Sequence, residues 1–465
     1  MAVESMGEKC GVFGAYTPGH EVARFVHPAI FTLQHRGQES AGIVTSDGLD
    51  LYIHKGMGLV THVFDEAAIE SLPGFIGIGH TRYSTSEGST SDHAQPVMRT
   101  DGIVALAHNG NLPSTEILEQ FLRDKGQPTT HSNDSEMMAD AIGYYFRRGA
   151  TLEDAIRETF PLFTGAFSLV VMTRDKLAAV RDEKGIRPFS FGKLNGGYVF
   201  ASETCALDVV RADYIDDVKP GEMVIIDSKG ITRHQLAKGE QKLDIFEFIY
   251  FARPDSMLLG QSVYQVRQRF GMKLAEESPV DADIVIPVPD SAIPAAIGYS
   301  MVSGIPYQEA LTKNRYIHRT FITPEQRLRE NAVAMKLNPI HEIINGKRVL
   351  VLDDSIVRGT TQRQLVEMLL RSGAKEVHVR ISSPPVKYPD FYGIDTPRQN
   401  KLIAAKLSVP EIRDHIGADT LAFLSYKGML EATGLPEDLF SMSCFTGIYP
   451  VDIRERAGEI VHFPS

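Results

Sequence analysis

In the first half of the chain, short apolar runs alternate with Gly and Asn turns at residues 11–16, 41–45, 75–79, 103–107, 166–172 and 198–201. Runs of this length, rich in Val, Ile and Phe, predict strands. Helical periodicity lies between them over 114–125 and 135–148. Strands and helices in such blocks predict a layered α+β unit. The stretch 227–244 is polar and weakly patterned, which predicts a boundary there. Beyond it the pattern changes. An apolar run at 284–288 meets a Pro289-Asp290-Ser291 turn and a small-residue helix; another at 349–352 is followed by Gly359-Thr360-Thr361 and a helix over 362–372. Short apolar strands feeding helices predict an α/β unit with a mainly parallel sheet and ligand loops at the strand C-terminal ends. The tail from Glu411 onward reads as helical, then irregular.

A length of 465 residues suits two or three such units. No apolar run approaches the ~20 residues that span a bilayer, and the first residues lack the basic and apolar regions of a signal peptide. No membrane association and a cytoplasmic location are the expectations. The net charge of −11, without a basic block, argues against nucleic acid as a partner. Any phosphate it binds is expected to be small and held in a local pocket. The three cysteines, Cys10, Cys205 and Cys444, lie far apart without CxxC spacing, which argues against zinc and disulfide frameworks.

Cys10 stands in Cys10-Gly11-Val12-Phe13-Gly14, and alone it reads first as a small buried residue, the usual fate of a lone cysteine. Four further segments change its weight. They are Gln34-His35-Arg36-Gly37, Gly79-His80-Thr81-Arg82, His108-Asn109-Gly110-Asn111, and Asn133-Asp134-Ser135-Glu136 at a predicted helix start. In this order the five segments resemble the N-terminal-nucleophile glutamine amidotransferase domain, from Cys10 to about Gly221. The resemblance implies Cys10 as thiolate nucleophile and its own α-amino group, of reference pKa ~8, as base. It implies Asn109 and the Gly110 N–H as oxyanion donors, Arg82 on the glutamine α-carboxylate, Asp134 on the α-ammonium, and Arg36 as an aid in placing the nucleophile. A terminal base requires residues 1–9 to be a leader that is cleaved.

In the second half, the apolar run ends in Asp353-Asp354-Ser355 and continues through Arg358-Gly359-Thr360-Thr361 into a helix. Two carboxylates can accept from the ribose hydroxyls, while the loop N–H groups, hydroxyls and helix start suit a phosphate monoester. The segment resembles the signature with which type I phosphoribosyltransferases bind 5-phosphoribosyl-1-pyrophosphate (PRPP). With the glutaminase half it resembles the amidophosphoribosyltransferase family. The resemblance implies transfer of glutamine-derived ammonia to C1 of PRPP, giving 5-phosphoribosylamine, pyrophosphate and glutamate at the first committed step of purine synthesis. Ser291, in the pyrophosphate loop, would lie near one Mg²⁺ per subunit together with Asp353 and Asp354. Lys313, Arg315 and Lys336 would face the leaving group, and the polar stretch 319–334 would close over PRPP.

The expected layout is thus a leader (1–9), an αββα N-terminal-nucleophile glutaminase domain (10–235) and a phosphoribosyltransferase domain with an irregular tail (245–465). Homodimers or homotetramers and inhibition by purine nucleotides are further expectations of the resemblance. A hexosamine-phosphate synthase shares the glutaminase half but would carry sugar-isomerase domains in place of 349–361. A salvage phosphoribosyltransferase would need no glutamine site. Some members of the family hold a [4Fe–4S] cluster. Its four cysteine positions fall here on Asp244, Asp390, Ser441 and Cys444, so no iron–sulfur cluster is expected.

Overall fold

The computed structural model describes residues 7–8, 10–82, 93–99, 102–129, 132–314, 337–396 and 398–461. Two antiparallel sheets stack face to face in the first half. One has seven strands in the order Asp213–Asp217, Ser190–Leu194, Gly197–Ala201, Cys10–Tyr16, Ile76–Arg82, Ser40–Ser46 and Leu51–Met57. The other has six: Gly230–Gln235, Glu222–Asp227, Leu177–Arg181, Ala166–Met172, Ala105–Asn111 and Val97–Met98. Val12, Ile78, Ala107, Val170 and Phe200 fill the space between the sheets. On the outer faces, Phe13 and Ala15 pack with Val26 and Ile30 of the helix Ala23–Thr32, while Leu106 and Leu169 pack with Met138 and Ile142 of Asp134–Phe146. Every residue of Cys10–Tyr16 is therefore buried, which explains why it reads as a continuous apolar run. Each fully buried Val or Phe contributes about 1.5–3 kcal/mol, so this αββα stack is a stiff support for whatever its strand ends carry.

In the second half, Ile284–Pro287, Arg348–Asp353, Glu376–Ile381 and Thr420–Phe423 form a parallel sheet in chain order. Helices Val263–Glu277 and Ile293–Ser303 cover one face through Phe270, Leu274 and Tyr299 against Leu350 and Leu352. Thr360–Arg371 and Val409–Ile416 cover the other through Leu365, Leu369 and Ile412 against Val349 and Val351. The first two helices touch backbone to backbone. A Cβ on Gly271 would lie 1.8 Å from the Ala295 carbonyl oxygen, and one on Gly298 1.9 Å from that of Gln268. Only glycine permits this approach. Among the described residues no helix is long and apolar enough to cross a membrane.

Arg82 and Asn109 lie within the ladders, with Cys10 opposite Arg82 and Asn109 opposite Ser168. Two expectations are refined. The polar stretch 227–244 contains the edge strand Gly230–Gln235, whose side chains are mostly exposed, so no apolar alternation marks it. The tail is not irregular after its first helix, because Thr420–Phe423 completes the parallel sheet; four half-buried residues are too few to show a period.

Candidate functional site

Cys10 opens its strand and is 6% exposed. Its amide nitrogen is joined to residue 9, and Gly7–Glu8 pair antiparallel with Ile394–Asp395. Arg36 follows the short turn Leu33–His35 and is wholly buried, with its Nε donating to the Cys10 carbonyl at 3.3 Å. It thus holds the backbone of the cysteine. Asn109 Nδ2 donates to Ser202 Oγ at 3.3 Å, and the same oxygen accepts from Val12 N at 2.9 Å. This shared acceptor ties the Asn109 strand to the Cys10 strand. Gly110 has φ 145°, and a Cβ there would lie 2.0 Å from the Ala166 carbonyl oxygen, so the position admits glycine alone.

Arg82 ends the strand paired with Cys10 and donates from Nη1 to the His93 carbonyl. Asp134 begins the helix Asp134–Phe146. Its Oδ2 accepts from Leu112 N at 3.3 Å, just beyond the Asn109 strand. Asn133 and Glu136 exchange side-chain and backbone bonds of 2.9 and 3.0 Å, a capping box that fixes where this helix starts. Beneath the site, His80 is completely buried with Nε2 3.0 Å from the His108 carbonyl oxygen. Burial pushes its pKa down to about 3 and also lowers that of His108, so these rings support the Asn109 strand as neutral groups.

A second site is a cavity of 420 Å³ at the C-terminal ends of the parallel strands. Asp353, Asp354, Ser355, Arg358, Gly359 and Thr361 line it, facing Ser291 and Lys313. Thr360 turns instead to a neighbouring pocket that Arg358 also reaches. The helix Thr360–Arg371 is capped by Gly359 at φ 81°, which leaves Asp354 and Ser355 unused as caps. Asp354 Oδ2 accepts from Ser291 Oγ at 2.5 Å and its Oδ1 from Ser355 Oγ at 2.6 Å. Asp353 accepts from Asp354 N at 2.9 Å and from Gln362 Nε2. Burial, then the neighbouring carboxylate, pushes Asp353 well above the usual range; burial also raises Asp354. Two carboxyls held close in this way favour a ligand that brings donors or positive charge. Lys313 is partly exposed, with Nζ 2.7 Å from Asp290. Arg315, Lys336 and the stretch 319–334 lie outside the described residues.

The motifs missed part of this site. Arg253 and Arg267 line the cavity from segments without any ligand signature, His35 lines it from a segment read only for the other site, and Gln362 sits in what reads as plain helix. Glu203 and Glu247, both 0% exposed, take the charge of Arg36. A buried acid looks like a surface acid in a sequence, so no signal marked them.

The four positions corresponding to cluster ligands also come together. Asp244 pairs with Ser441 across a short parallel bridge, and both are buried with Asp390 and Cys444. Asp390 Oδ1 accepts from Tyr392 N and Ile394 N at 2.7 and 3.0 Å, and Asp244 Oδ1 from Phe246 N at 3.0 Å. Burial and then Asp390 push the Asp244 carboxyl up, while burial and the two acids raise the Cys444 thiol. One protonated thiol, two carboxyls and a hydroxyl do not fit a centre that needs four thiolates. Cys205 is packed beside Glu203, and burial raises its pKa.

Comparison with known proteins matches residues 80–209 to a glutamine amidotransferase domain. An amidophosphoribosyltransferase of Synechococcus elongatus is 50% identical over 456 residues, covering 97% of this chain and 92% of its own. A solved structure described as the allosteric regulatory enzyme of purine biosynthesis superposes with TM-score 0.90 at 45% identity, covering 96% of this chain and 97% of its own. The glutamine PRPP amidotransferase of Bacillus subtilis, complexed with ADP and GMP, gives TM-score 0.89 at 45% identity, with 96% and 98% covered.

Proposed function

The chain belongs to the amidophosphoribosyltransferase family, and on that premise we propose how its residues divide the reaction between two sites. The enzyme hydrolyses glutamine and transfers the ammonia to C1 of PRPP, the first step of purine nucleotide synthesis. Cys10, freed of residues 1–9, attacks the glutamine amide with its α-amino group taking the proton. Arg82 and Asp134 hold the amino-acid end of glutamine. Asn109 Nδ2 and Gly110 N–H stabilise the oxyanion, and Arg36 fixes the Cys10 backbone. At the second site Asp353 and Asp354 orient the ribose. Ser355 and the turn Arg358, Gly359, Thr360 and Thr361 bind the 5-phosphate. Lys313, Arg315 and Lys336 offset charge on the departing pyrophosphate.

The observation that carries the reading is the pair of constellations in one chain: a nucleophile strand tied to Asn109, and a carboxylate pair joined to Ser291 across a cavity. An all-oxygen donor set of Ser291, Asp353 and Asp354 suits one Mg²⁺, which would neutralise diphosphate charge when bound. The mixed set at Asp244, Asp390, Ser441 and Cys444 supports an enzyme without an iron–sulfur cluster. We assign residues 10–235 to the glutaminase and 245–465 to the transferase. A cytoplasmic homo-oligomer inhibited by purine nucleotides completes the proposal. The test is stoichiometry: purified enzyme with glutamine, PRPP and Mg²⁺ should release glutamate and pyrophosphate in equal amounts, and with ammonia it should release pyrophosphate alone. Glutamate release without any pyrophosphate would refute the assignment of the second site.

A further inference from the structure

Among the described cations that line the 420 Å³ cavity, Arg267 alone is buried, at 3% exposure. It stands near the start of the helix Val263–Glu277. Two of its nitrogens are committed to backbone. Nε donates to the Phe248 carbonyl at 2.7 Å and Nη2 to the Ala252 carbonyl at 2.8 Å. Two bonds to fixed carbonyls set the plane of the guanidinium, so the direction of Nη1 is settled before a ligand arrives. Nη1 itself has no hydrogen-bond partner among the described residues. A buried charged donor without a partner is costly, and a partner brought by the ligand removes that cost.

The charges nearby narrow the choice of partner. Burial lowers the Arg267 pKa to about 10, and the Asp354 carboxyl leads the groups that act the other way. Burial raises Asp354, and Arg267 is among the groups that lower it. The two side chains thus feel each other's charge in the cavity wall, yet among the described residues no direct ion pair joins them. A gap bounded by a carboxylate acceptor and a charged donor suits a hydroxyl, which gives one hydrogen bond and takes another. A phosphate oxygen in the same place would be repelled by Asp354. A methylene would leave the donor and the acceptor both unsatisfied.

We propose that Arg267 is a specificity-determining residue for the sugar: its Nη1 donates to the ribose hydroxyl that in turn donates to Asp354, and the pair selects ribose over a deoxyribose. This rests on the two-site reading above and adds the feature of the diphosphate sugar that the site selects. A site built to hydrogen-bond a hydroxyl rejects the analogue that lacks it, because its own buried groups are then left unpaired.

The test is ammonia-dependent pyrophosphate release by the full-length mature enzyme, with PRPP and with its 2-deoxy and 3-deoxy counterparts as substrates. Wild type should prefer PRPP to one of the two counterparts by at least about tenfold in kcat/KM, the scale of a charged hydrogen bond. Arg267→Lys keeps the charge and loses the fork. It should lower kcat/KM for PRPP about tenfold and that for the disfavoured counterpart less than about threefold, so the preference shrinks. Arg267→Gln keeps an amide donor for one carbonyl and repeats the comparison if the lysine variant does not fold. Equal losses with PRPP and both counterparts would mark a merely structural arginine and overturn the inference, as would an unchanged preference. A wild-type preference below about tenfold against both counterparts overturns it without any variant. A wild type that releases no pyrophosphate from PRPP and ammonia sinks the two-site reading itself.

Discussion

Replacing Asn109 with alanine isolates one term of the proposed glutaminase chemistry. The side chain donates one bond, 3.3 Å to Ser202 Oγ, and that oxygen keeps its shorter 2.9 Å bond from Val12 N. The ladder partner Ser168 is paired through backbone and is unaffected. The stability cost is therefore that of one ordinary hydrogen bond, about 1 kcal/mol. In the transition state the same Nδ2 would donate to an oxyanion in a buried site. Losing one such donor costs about 2.7–4 kcal/mol, or roughly 10²–10³ in kcat. The assay is glutamate release at saturating glutamine and PRPP, with the ammonia-dependent reaction as internal control. Glutamine-dependent turnover should fall by that factor while the ammonia rate holds and KM for glutamine changes little. A loss of less than about fivefold in the folded variant would refute the role of Asn109, because a single oxyanion donor is worth far more.

Four further outcomes are expected. Cys10→Ala should abolish glutamine-dependent synthesis and leave synthesis from high ammonia intact, as measured by pyrophosphate release. Asp353→Asn or Asp354→Asn should weaken both reactions, each broken charged bond costing about 1.5–3 kcal/mol in kcat/KM for PRPP. His80 has a folded pKa of about 3 against an unfolded value of about 6.5, so its contribution is present above pH ~6.5 and is lost as pH falls below it. Denaturant midpoints of His80→Gln should accordingly decline less steeply than wild type between about pH 6.5 and 4. Anaerobically purified enzyme should contain no stoichiometric iron or sulfide, since a single thiol at the cluster position cannot replace four.

What could be read from sequence follows from where the constraint lies. The Asp353-Asp354 loop and the Asn133–Glu136 helix start were legible because their chemistry is local: neighbours in sequence are neighbours in space. The parallel strand Arg348–Asp353 and the strand Ala166–Met172 were legible because they are buried on both faces and read as apolar runs. Thr420–Phe423 was not, being short and half-buried. Glu203 was invisible for a different reason. Its partner Arg36 is 167 residues away, and nothing in either segment signals the pairing. How Arg36 places the nucleophile, and that Ser202 takes part at all, emerged only with coordinates, because both act on backbone atoms of another strand.

The strand that carries Asn109 is finished by residues from the far end of the chain. Asn111 Nδ2 donates to the Phe391 carbonyl at 2.9 Å, and a Cβ on Gly393 would lie 3.2 Å from Gly110 Cα. A fragment ending at residue 235 would therefore lack contacts that complete the strand of Asn109. Limited proteolysis between the halves should accordingly yield a first-half fragment with impaired glutamine hydrolysis, and recombining it with the second half should restore the rate. The second half thus supplies shape that the strand of Asn109 needs.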